Sequence, residues 1–360
     1  MLNSTSVEVI SDEQTALVLK VLMYGLIPAV SLFAVVGNVF SIVVLMRHGL
    51  RKCSNILLVS LAVADIHFLV SYNSVPKVLY EAVGGHRFVG FSPSDMNVLF
   101  VFFVIFTFYD YAFGLLGLTL PMLITIERLL MIFFPLNFHR ILTPGRTWLA
   151  VAVLSVYYIS MFIFASFLME LQYVTDNSTN ETVGVIVHSK LFYENFHLIS
   201  FLQDLLVYSS FIIPPIFTII GCVIIFIKLK MTSMTRKRMT SATHRGSRTT
   251  RMLLAVCAAY TLTTSFQALP LYIPQYAVYS LTDQSSTNIG KILYQVINLA
   301  SCVNSAINFI VYIVLNNKFR HTFLHLFCCS TRTSRQRFKH RSRQESSNRV
   351  RESSSRGYRS

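Results

Sequence analysis

Seven long apolar segments constrain the fold of this chain more than any other feature of its sequence. Each has the ~20 apolar residues that a helix needs to cross the bilayer hydrocarbon. The segments cover residues 18–46, 55–80, 97–134, 147–170, 199–229, 251–279 and 289–315. Because a backbone in lipid must satisfy its polar groups internally, these segments predict seven helices. No strand-length alternation suggests a β-barrel, so the predicted fold class is an all-α membrane protein with a seven-transmembrane helix bundle.

Lysine and arginine set the predicted orientation of this bundle. The formal net charge is +15, and the basic residues concentrate in the connectors after the first, third and fifth segments and in the tail. The positive-inside rule therefore places the N-terminus outside the cell and the C-terminus in the cytoplasm, as in a multi-pass protein of the plasma membrane. The glycosylation sequons at Asn3, Asn177 and Asn180 all fall on the predicted outer side.

The chain divides into four predicted regions. These are an extracellular N-terminus (1–17), the bundle (18–315), an amphipathic juxtamembrane helix (316–329) and a basic tail (330–360). Phenylalanines at helical spacing among basic residues predict that the juxtamembrane helix lies on the inner leaflet. Cys328 and Cys329 at its end are predicted palmitoylation sites, with two free thiols as the alternative. The Ser- and Arg-rich tail is predicted to be disordered and to contact membrane lipid rather than nucleic acid.

The third segment carries ionisable side chains near both of its ends. Asp110 and Arg128 are eighteen positions apart. At ~1.5 Å per residue this is roughly 27 Å along a helix, close to the thickness of the hydrocarbon. Charges in such a segment are costly and usually face a site or a partner. The sequence therefore predicts a ligand end at Asp110 and a readout end at Glu127 and Arg128.

Short motifs occur in order along the predicted helices. They are Asn38, Asp65, Glu127-Arg128 with Pro135-Leu136, Pro214, Pro270, Asn304-Ser305, Asn308 and Tyr312. Each is a weak signal alone, but in this order over residues 25–329 the chain resembles a divergent rhodopsin-like (class A) G-protein-coupled receptor. The resemblance implies an extracellular ligand and a heterotrimeric G protein as partners. It also implies that arrestin and receptor kinases act on the Ser-rich tail.

Several positions depart from the pattern of that family. Phe309 stands where members usually have proline, and Ala268 stands where they have tryptophan. Most members tie the top of the third helix to the second outer loop by a disulfide. Here Phe103 occupies the upper position and the loop from Leu171 to His197 contains no cysteine. The six cysteines lie in the segments or on the predicted inner side, so no disulfide framework is expected.

The resemblance also assigns roles inside the bundle. Asp65 would centre a polar activation network with Asn38, Asn304, Ser305 and Asn308, and the network would involve Tyr312, Pro214 and Pro270. The family binds sodium at this acid, usually with a Ser or Thr that is Gly117 here, so a sodium ion and a protein-only network both stay open. No other cofactor is expected. Glu127, Arg128, Pro135 and Leu136 would serve G-protein coupling.

Asp110 is the centre of the predicted ligand site. It lies among aromatic residues, including Phe106 and Tyr111, and an acid with aromatic walls suits a cationic ligand. Tyr272, Gln275 and Asn298 are further predicted lining residues. The alternative is that Asp110 orders water without touching ligand.

The nature of the ligand has three candidates. A short peptide is the first choice, because the outer loop carries sequons and the outer face is acidic; a small chemosensory ligand is second and a biogenic amine third. A polytopic transporter or channel is the alternative from another class, since intramembrane acids can carry ions. An enzyme is not expected, because the sequence has no metal-ligand spacing, phosphate loop or catalytic triad.

Overall fold

The computed structural model describes residues 10–74, 87–175, 180–239, 260, 263–264 and 288–328. Within these ranges six helical stretches are long and apolar enough to cross a membrane. The first is α1 (Asp12–Val21) and α2 (Ile27–Arg47), joined by a π-helical turn; the next three are α3 (Cys53–Tyr72), α4 (Pro93–Phe133) and α6 (Pro144–Ser166). Then come α8 (Phe196–Val207) and α9 (Ile213–Met239), again joined by a π-helical turn, and α10 (Asn288–Leu315). The short helices are α5 (Phe138–Ile141), α7 (Lys190–Glu194) and α11 (Asn317–Phe323).

These helices coincide with six of the seven predicted segments and so support the predicted fold class. The segment 251–279 lies outside the described residues except for Tyr260 and 263–264, which are helical. The first helix begins at Asp12, earlier than the predicted start at residue 18. The reason is a capping box, in which Ser11 and Gln14 satisfy each other's backbone N–H groups.

A small antiparallel sheet was not foreseen from the sequence. Its strands are β1 (Arg87–Phe88), β2 (Met169–Thr175) and β3 (Thr182–His188), in the order β1-β3-β2. Phe88 pairs with Gly184, and Met169 pairs with His188. The β2 strand begins at Met169, inside the segment predicted as helix up to residue 170. The signal was the β-branched run in β3, which favours a strand.

An apolar cluster fastens this sheet to the top of α4. Phe103 is 3% exposed and packs with Phe88, Met96 and Ile186. Gly184 lies close beneath, since a Cβ there would be 3.0 Å from the sulfur of Met96. The Tyr173 hydroxyl donates a 2.8 Å hydrogen bond to the Pro93 carbonyl. Packing at Phe103 thus holds the loop between α6 and α8, which is predicted to be extracellular, at the position where the family usually has a cysteine.

A second aromatic cluster joins α2, α10 and α11 at the opposite end. Phe309, in the place of the usual proline, lies over Gly37, where an added Cβ would be 2.8 Å from the ring. Its ring centroid lies 5.9–6.4 Å from those of its partners Phe33, Phe40, Phe319 and Phe323. The missing side chain of Gly37 therefore makes the room for Phe309. The predicted juxtamembrane helix is present as α11, with a π-helical turn at Leu324–Cys328.

The cysteines correct one expectation. Cys53 and Cys302 are thiols, but Cys222 is disulfide-bonded. Cys222 is 5% exposed within α9. The expectation of no disulfide rested on the reducing compartment, and that argument does not reach a cysteine buried among helices.

Candidate functional site

A cavity lies inside the helix bundle, bounded by α3, α4 and α10. Its volume is about 260 Å³. Asp110 of α4 lines it and is 2% exposed, so the carboxylate is withdrawn from the protein surface. The walls include the aromatic side chains of Phe68, Tyr111 and Phe113. An acid buried among aromatic rings can bind a cation through an ion pair and cation–π contacts.

Three of the predicted ligand residues line the same cavity. They are Asp110, Tyr111 and Asn298. Phe106 does not line it; its ring stacks on Phe102, with centroids 6.3 Å apart. Tyr272 and Gln275 lie outside the described residues. The Nδ2 atom of Asn298 is buried and has no hydrogen-bond partner in the part of the chain that the structure describes. This amide is a donor available to an acceptor on a ligand.

Sequence reasoning missed several polar and aromatic wall residues. Tyr72 and Phe68 of α3 line the cavity, and their rings stack with centroids 6.0 Å apart. The Tyr72 hydroxyl donates to the Gln295 carbonyl oxygen at 3.2 Å. Their spacing of four residues places both on one face of α3. That spacing alone does not distinguish a cavity wall from ordinary core.

Asp65 and its neighbours form a polar network at the inner end of this cavity. The carboxylate is 4% exposed and accepts hydrogen bonds from Ser305 and Asn308, both at 2.9 Å. Asn38 donates to the Ser305 carbonyl at 3.2 Å, which links α2 to α10. The side-chain Oδ1 of Asn304 accepts a 2.8 Å hydrogen bond from the Thr263 hydroxyl. The polar residues that the resemblance selected are thus brought together, although their role in activation stays a prediction.

The structure describes two of the three remaining members of the predicted network, Tyr312 and Pro214. Tyr312 is buried, with its ring centroid 5.6 Å from that of Phe319. Pro214 lies in the first turn of α9, and Pro270 lies outside the described residues.

Sodium binding at Asp65 stays a prediction, for which the described side chains supply part of a ligand set. Hard cations are held by several oxygen ligands at once. Ser305 and the Asp65 carboxylate supply oxygens, but Gly117 supplies none and leaves space instead. A Cβ at Gly117 would be 3.6 Å from Oδ1 of Asp65.

The readout end of α4 carries an ion pair whose acid is buried and whose Arg128 side chain is 24% exposed. Arg128 Nε lies 3.1 Å from Glu127 Oε2, and Glu127 is 2% exposed. Ser54 of α3 donates a 2.7 Å hydrogen bond to Glu127 Oε1, so the acid is held by two helices. Pro135 and Leu136 follow α4, and Leu136 is 94% exposed. The predicted coupling residues therefore lie together at one end of the bundle.

His188 lies at the outer end, in the last position of β3. Its ring stacks on Phe192, with centroids 3.8 Å apart and an interplanar angle of 6°. Burial lowers the pKa of His188 from its ordinary value, and a hydrogen bond with the Leu168 backbone partly opposes this change. The neutral imidazole is therefore the form that the packed hairpin favours.

The predicted modification sites are only partly described. Asn180 is exposed and has a φ of +56°, the left-handed conformation that asparagine tolerates in turns. Asn3, Asn177 and Cys329 lie outside the described residues, and so does the side chain of Cys328.

The comparisons with known proteins agree with this architecture. The family model described as "7 transmembrane receptor (rhodopsin family)" matches residues 37–312. This is more than half of the chain, which therefore belongs to the rhodopsin family of seven-transmembrane receptors. The family consists of receptors, so the protein is a multi-pass membrane receptor and not an enzyme.

One similar protein is the FMRFamide receptor of Drosophila melanogaster. It is 25% identical over 314 residues, which make up 84% of this chain and 53% of that protein. The chain thus spans about half the length of this relative.

Proposed function

We propose that the protein is a plasma-membrane receptor that binds a short extracellular peptide and activates a heterotrimeric G protein. The observation that carries this proposal is the Asp110 carboxylate, 2% exposed on the wall of a cavity of about 260 Å³. A charged side chain buried in a membrane segment is costly and marks a functional site. A cationic group of the ligand would bind at this carboxylate.

A peptide fits the donors and acceptors of the cavity. Its amino terminus or a basic side chain would pair with Asp110. A backbone carbonyl or terminal amide oxygen would accept a hydrogen bond from Nδ2 of Asn298, which is buried without a partner among the described residues. Satisfying a buried donor is worth ~1–3 kcal/mol. The name of the Drosophila relative, at 25% identity, also favours a peptide.

A biogenic amine is the second candidate. Tyr111 and Phe113 line the cavity beside Asp110, and aromatic faces around an acid are what a protonated amine requires.

The end of α4 that is remote from Asp110 supports coupling to a G protein. In the resting arrangement Glu127 holds Arg128 at 3.1 Å, and Ser54 fixes Glu127 from α3. A ligand that binds the active arrangement better releases Arg128 toward the G protein. If Arg128 faces the cytoplasm, the sheet and the predicted glycosylation sites Asn3, Asn177 and Asn180 would lie outside the cell. Palmitoylated Cys328 and Cys329 would then anchor the helix that follows α10 on the inner leaflet.

The ligand assignment is tested in cells that express a promiscuous G protein. A library of short peptides and amines, including the peptide FMRFamide, is screened for calcium release. Asp110→Asn should reduce the potency of any cationic agonist at least 100-fold. Asp204→Asn is the matched control, because Asp204 is exposed on α8 and does not line the cavity. Equal potency at native receptor and Asp110→Asn, with equal surface expression, contradicts the assignment.

The coupling assignment has its own test. Ser54→Ala removes the hydrogen bond to Glu127, and a bond to a charged group is worth ~1.5–3 kcal/mol. Basal G-protein activity should therefore rise several-fold, whereas Arg128→Ala should abolish activation at normal surface expression. Ser60→Ala is the control, because Ser60 donates only to Ile56 of its own helix. Basal activity that stays at the native level in Ser54→Ala rules out this restraint.

A further inference from the structure

Exposed basic side chains collect at the end of the bundle that carries Arg128. They fall in two short ranges, 47–52 between α2 and α3 and 316–322 at α11, and neither range contains an acidic residue. In the part of the chain that the structure describes, none of these basic side chains forms an ion pair with a carboxylate. The lysines and arginines of this basic cluster are Arg47, Arg51, Lys52, Lys318 and Arg320.

A hydrogen bond joins the two ranges. Nε2 of His48 lies 2.9 Å from Oγ1 of Thr322, so the connector between α2 and α3 is in contact with α11. The connector turns at Gly49, whose φ of +86° suits a residue without a side chain. Asn55 of α3 donates a 2.8 Å hydrogen bond to the Gly49 carbonyl. The connector is therefore held in one conformation beside α11.

Lysines from both ranges act on the same imidazole. Burial lowers the pKa of His48, and the positive charges of Lys52 and Lys318 lower it further. Both ammonium groups therefore lie near this ring, and the fold holds like charges together here. The result is a positive potential that attracts an anion from outside the chain, because the described residues near it supply none.

An apolar stripe leads from the basic cluster into the membrane. On α2, Val39, Val43 and Met46 are exposed, and their spacing of four and three residues places them on one side of the helix. Phe327 is exposed as well, and its ring centroid lies 4.6 Å from that of Phe40. The cluster thus adjoins a surface on which hydrocarbon chains can lie.

We propose that the basic cluster binds the headgroup of a phosphoinositide lipid, whose phosphates lie against Lys52 and Lys318 and whose acyl chains follow Val43 and Met46. A group of basic residues directly beside a membrane helix is typical of binding to anionic lipids. Several cations in one place match a headgroup with several phosphates better than the single negative charge of phosphatidylserine. The inference rests on the proposed function only in placing this end of the bundle in the cytoplasm.

The test measures lipid binding to the purified full-length receptor in micelles and requires no signalling. The probes are dioctanoyl phosphatidylinositol bisphosphate, dioctanoyl phosphatidylserine, and soluble inositol trisphosphate, which has phosphates but no acyl chains. Affinity is obtained from the rise in unfolding temperature with probe concentration. The native receptor should bind the bisphosphate lipid roughly tenfold more tightly than either of the other probes.

A double variant examines the charges. Lys52→Gln with Lys318→Gln should weaken binding of the bisphosphate lipid about 30-fold, because each basic residue near the membrane surface contributes about a factor of five. Lys20→Gln with Lys190→Gln is the matched control, since both lysines are exposed and lie in α1 and α7, outside the basic cluster. In the control, the affinity should stay within about twofold of the native value.

Thr322→Val examines the join between the connector and α11 without changing the charge. It removes the hydrogen bond to His48. Binding of the bisphosphate lipid should weaken several-fold, because its phosphates need lysines from both ranges, whereas binding of phosphatidylserine should not change. Equal losses for the two lipids would indicate diffuse attraction to a basic surface and contradict a built site.

Three further results would overturn the proposal. One is equal affinity of the native receptor for the bisphosphate lipid and phosphatidylserine. Another is inositol trisphosphate that binds as tightly as the lipid, which would make this a site for a free phosphate compound. The third is a preference that survives loss of the two lysines but disappears in Arg341→Gln with Arg343→Gln, which would assign the lipid to the tail. Failure of the peptide screen leaves this binding result unaffected, so the two proposals fail separately.

Discussion

Two phenylalanines, one near each end of the bundle, replace residues that usually constrain the backbone in this family, a disulfide cysteine and a proline. Phe103 stands near the outer end in place of a cysteine, and it fastens the sheet to α4 with Met96 and Ile186. Phe309 stands near the inner end in place of a proline, and it fills the space over Gly37. Apolar packing takes over from a covalent link at one end and from a backbone kink at the other.

The two clusters differ in the source of their stability. Phe103 packs between α4 and the sheet, so it buries apolar area that a detached loop would leave exposed, at ~25 cal/mol per Å². Phe309 lies among helices in lipid, where the hydrophobic effect contributes little between helices and close packing decides. The outer cluster should therefore tolerate other apolar residues of similar size, whereas the inner cluster should depend on the match between Phe309 and Gly37.

The largest expected effect is at the inner cluster. Phe309→Ala should destabilise the receptor by about 3 kcal/mol through the cavity that it leaves. Gly37→Ala should cost about 1–3 kcal/mol, because its Cβ would lie 2.8 Å from the Phe309 ring. The double variant should be less destabilised than the sum, since removal of the ring relieves the overlap. Chemical unfolding in micelles measures all three.

Gly25→Ala is the control for the inner cluster, because nothing lies within 4 Å of its Cβ position. It should leave stability unchanged within about 0.5 kcal/mol. Strict additivity of Gly37→Ala and Phe309→Ala would show that the two residues do not act as one packing unit.

A smaller and more local effect is expected at the outer cluster. Phe103→Ala should open a cavity beneath the sheet and weaken it by roughly 2 kcal/mol, so amide exchange in β3 should become ~30-fold faster. Amide exchange in α10 should not change. Phe102→Ala is the matched control, because Phe102 is 48% exposed. Equal acceleration in β3 and α10 would mean that the sheet is not a separate unit.

The smallest effect concerns pH at the end of β3. Burial lowers the pKa of His188, so the folded hairpin binds fewer protons than the unfolded segment. Stability is then full above the unfolded pKa of about 6.5 and declines as pH falls toward the folded value. Because water screens this partly exposed ring, the protection factor of the β3 amides, which corrects for the pH dependence of intrinsic exchange, should fall only about twofold between roughly pH 7.5 and 5.5.

His188→Phe keeps an aromatic ring against Phe192 and should remove this pH dependence, whereas His197→Phe, on the exposed face of α8, should retain it. A dependence that persists in His188→Phe would assign the effect to another group.

Prediction from the sequence succeeded where a local rule was sufficient. The length of the apolar segments predicted helices, because a chain that crosses a membrane must hydrogen-bond its own backbone polar groups. The order of the motifs selected Asp65, Ser305 and Asn308. In the fold, Ser305 and Asn308 each donate a 2.9 Å hydrogen bond to Asp65. The sheet was missed, because the short β-branched run in β3 lies between two long apolar helices and its pairing partners are distant in sequence.

Composition and spacing by themselves determined that this chain crosses a membrane repeatedly and that its third apolar segment has Asp110 in its first half and the Glu127–Arg128 pair close to its end. Only the tertiary structure decided that Asp110 and Asp65 share one cavity, that Gly37 receives Phe309, and that Ser54 holds Glu127. The physical reason is how far apart in the sequence the interacting residues lie. Crossing a bilayer depends on runs of neighbouring residues, whereas a shared cavity or a cross-helix contact depends on which faces of distant helices meet.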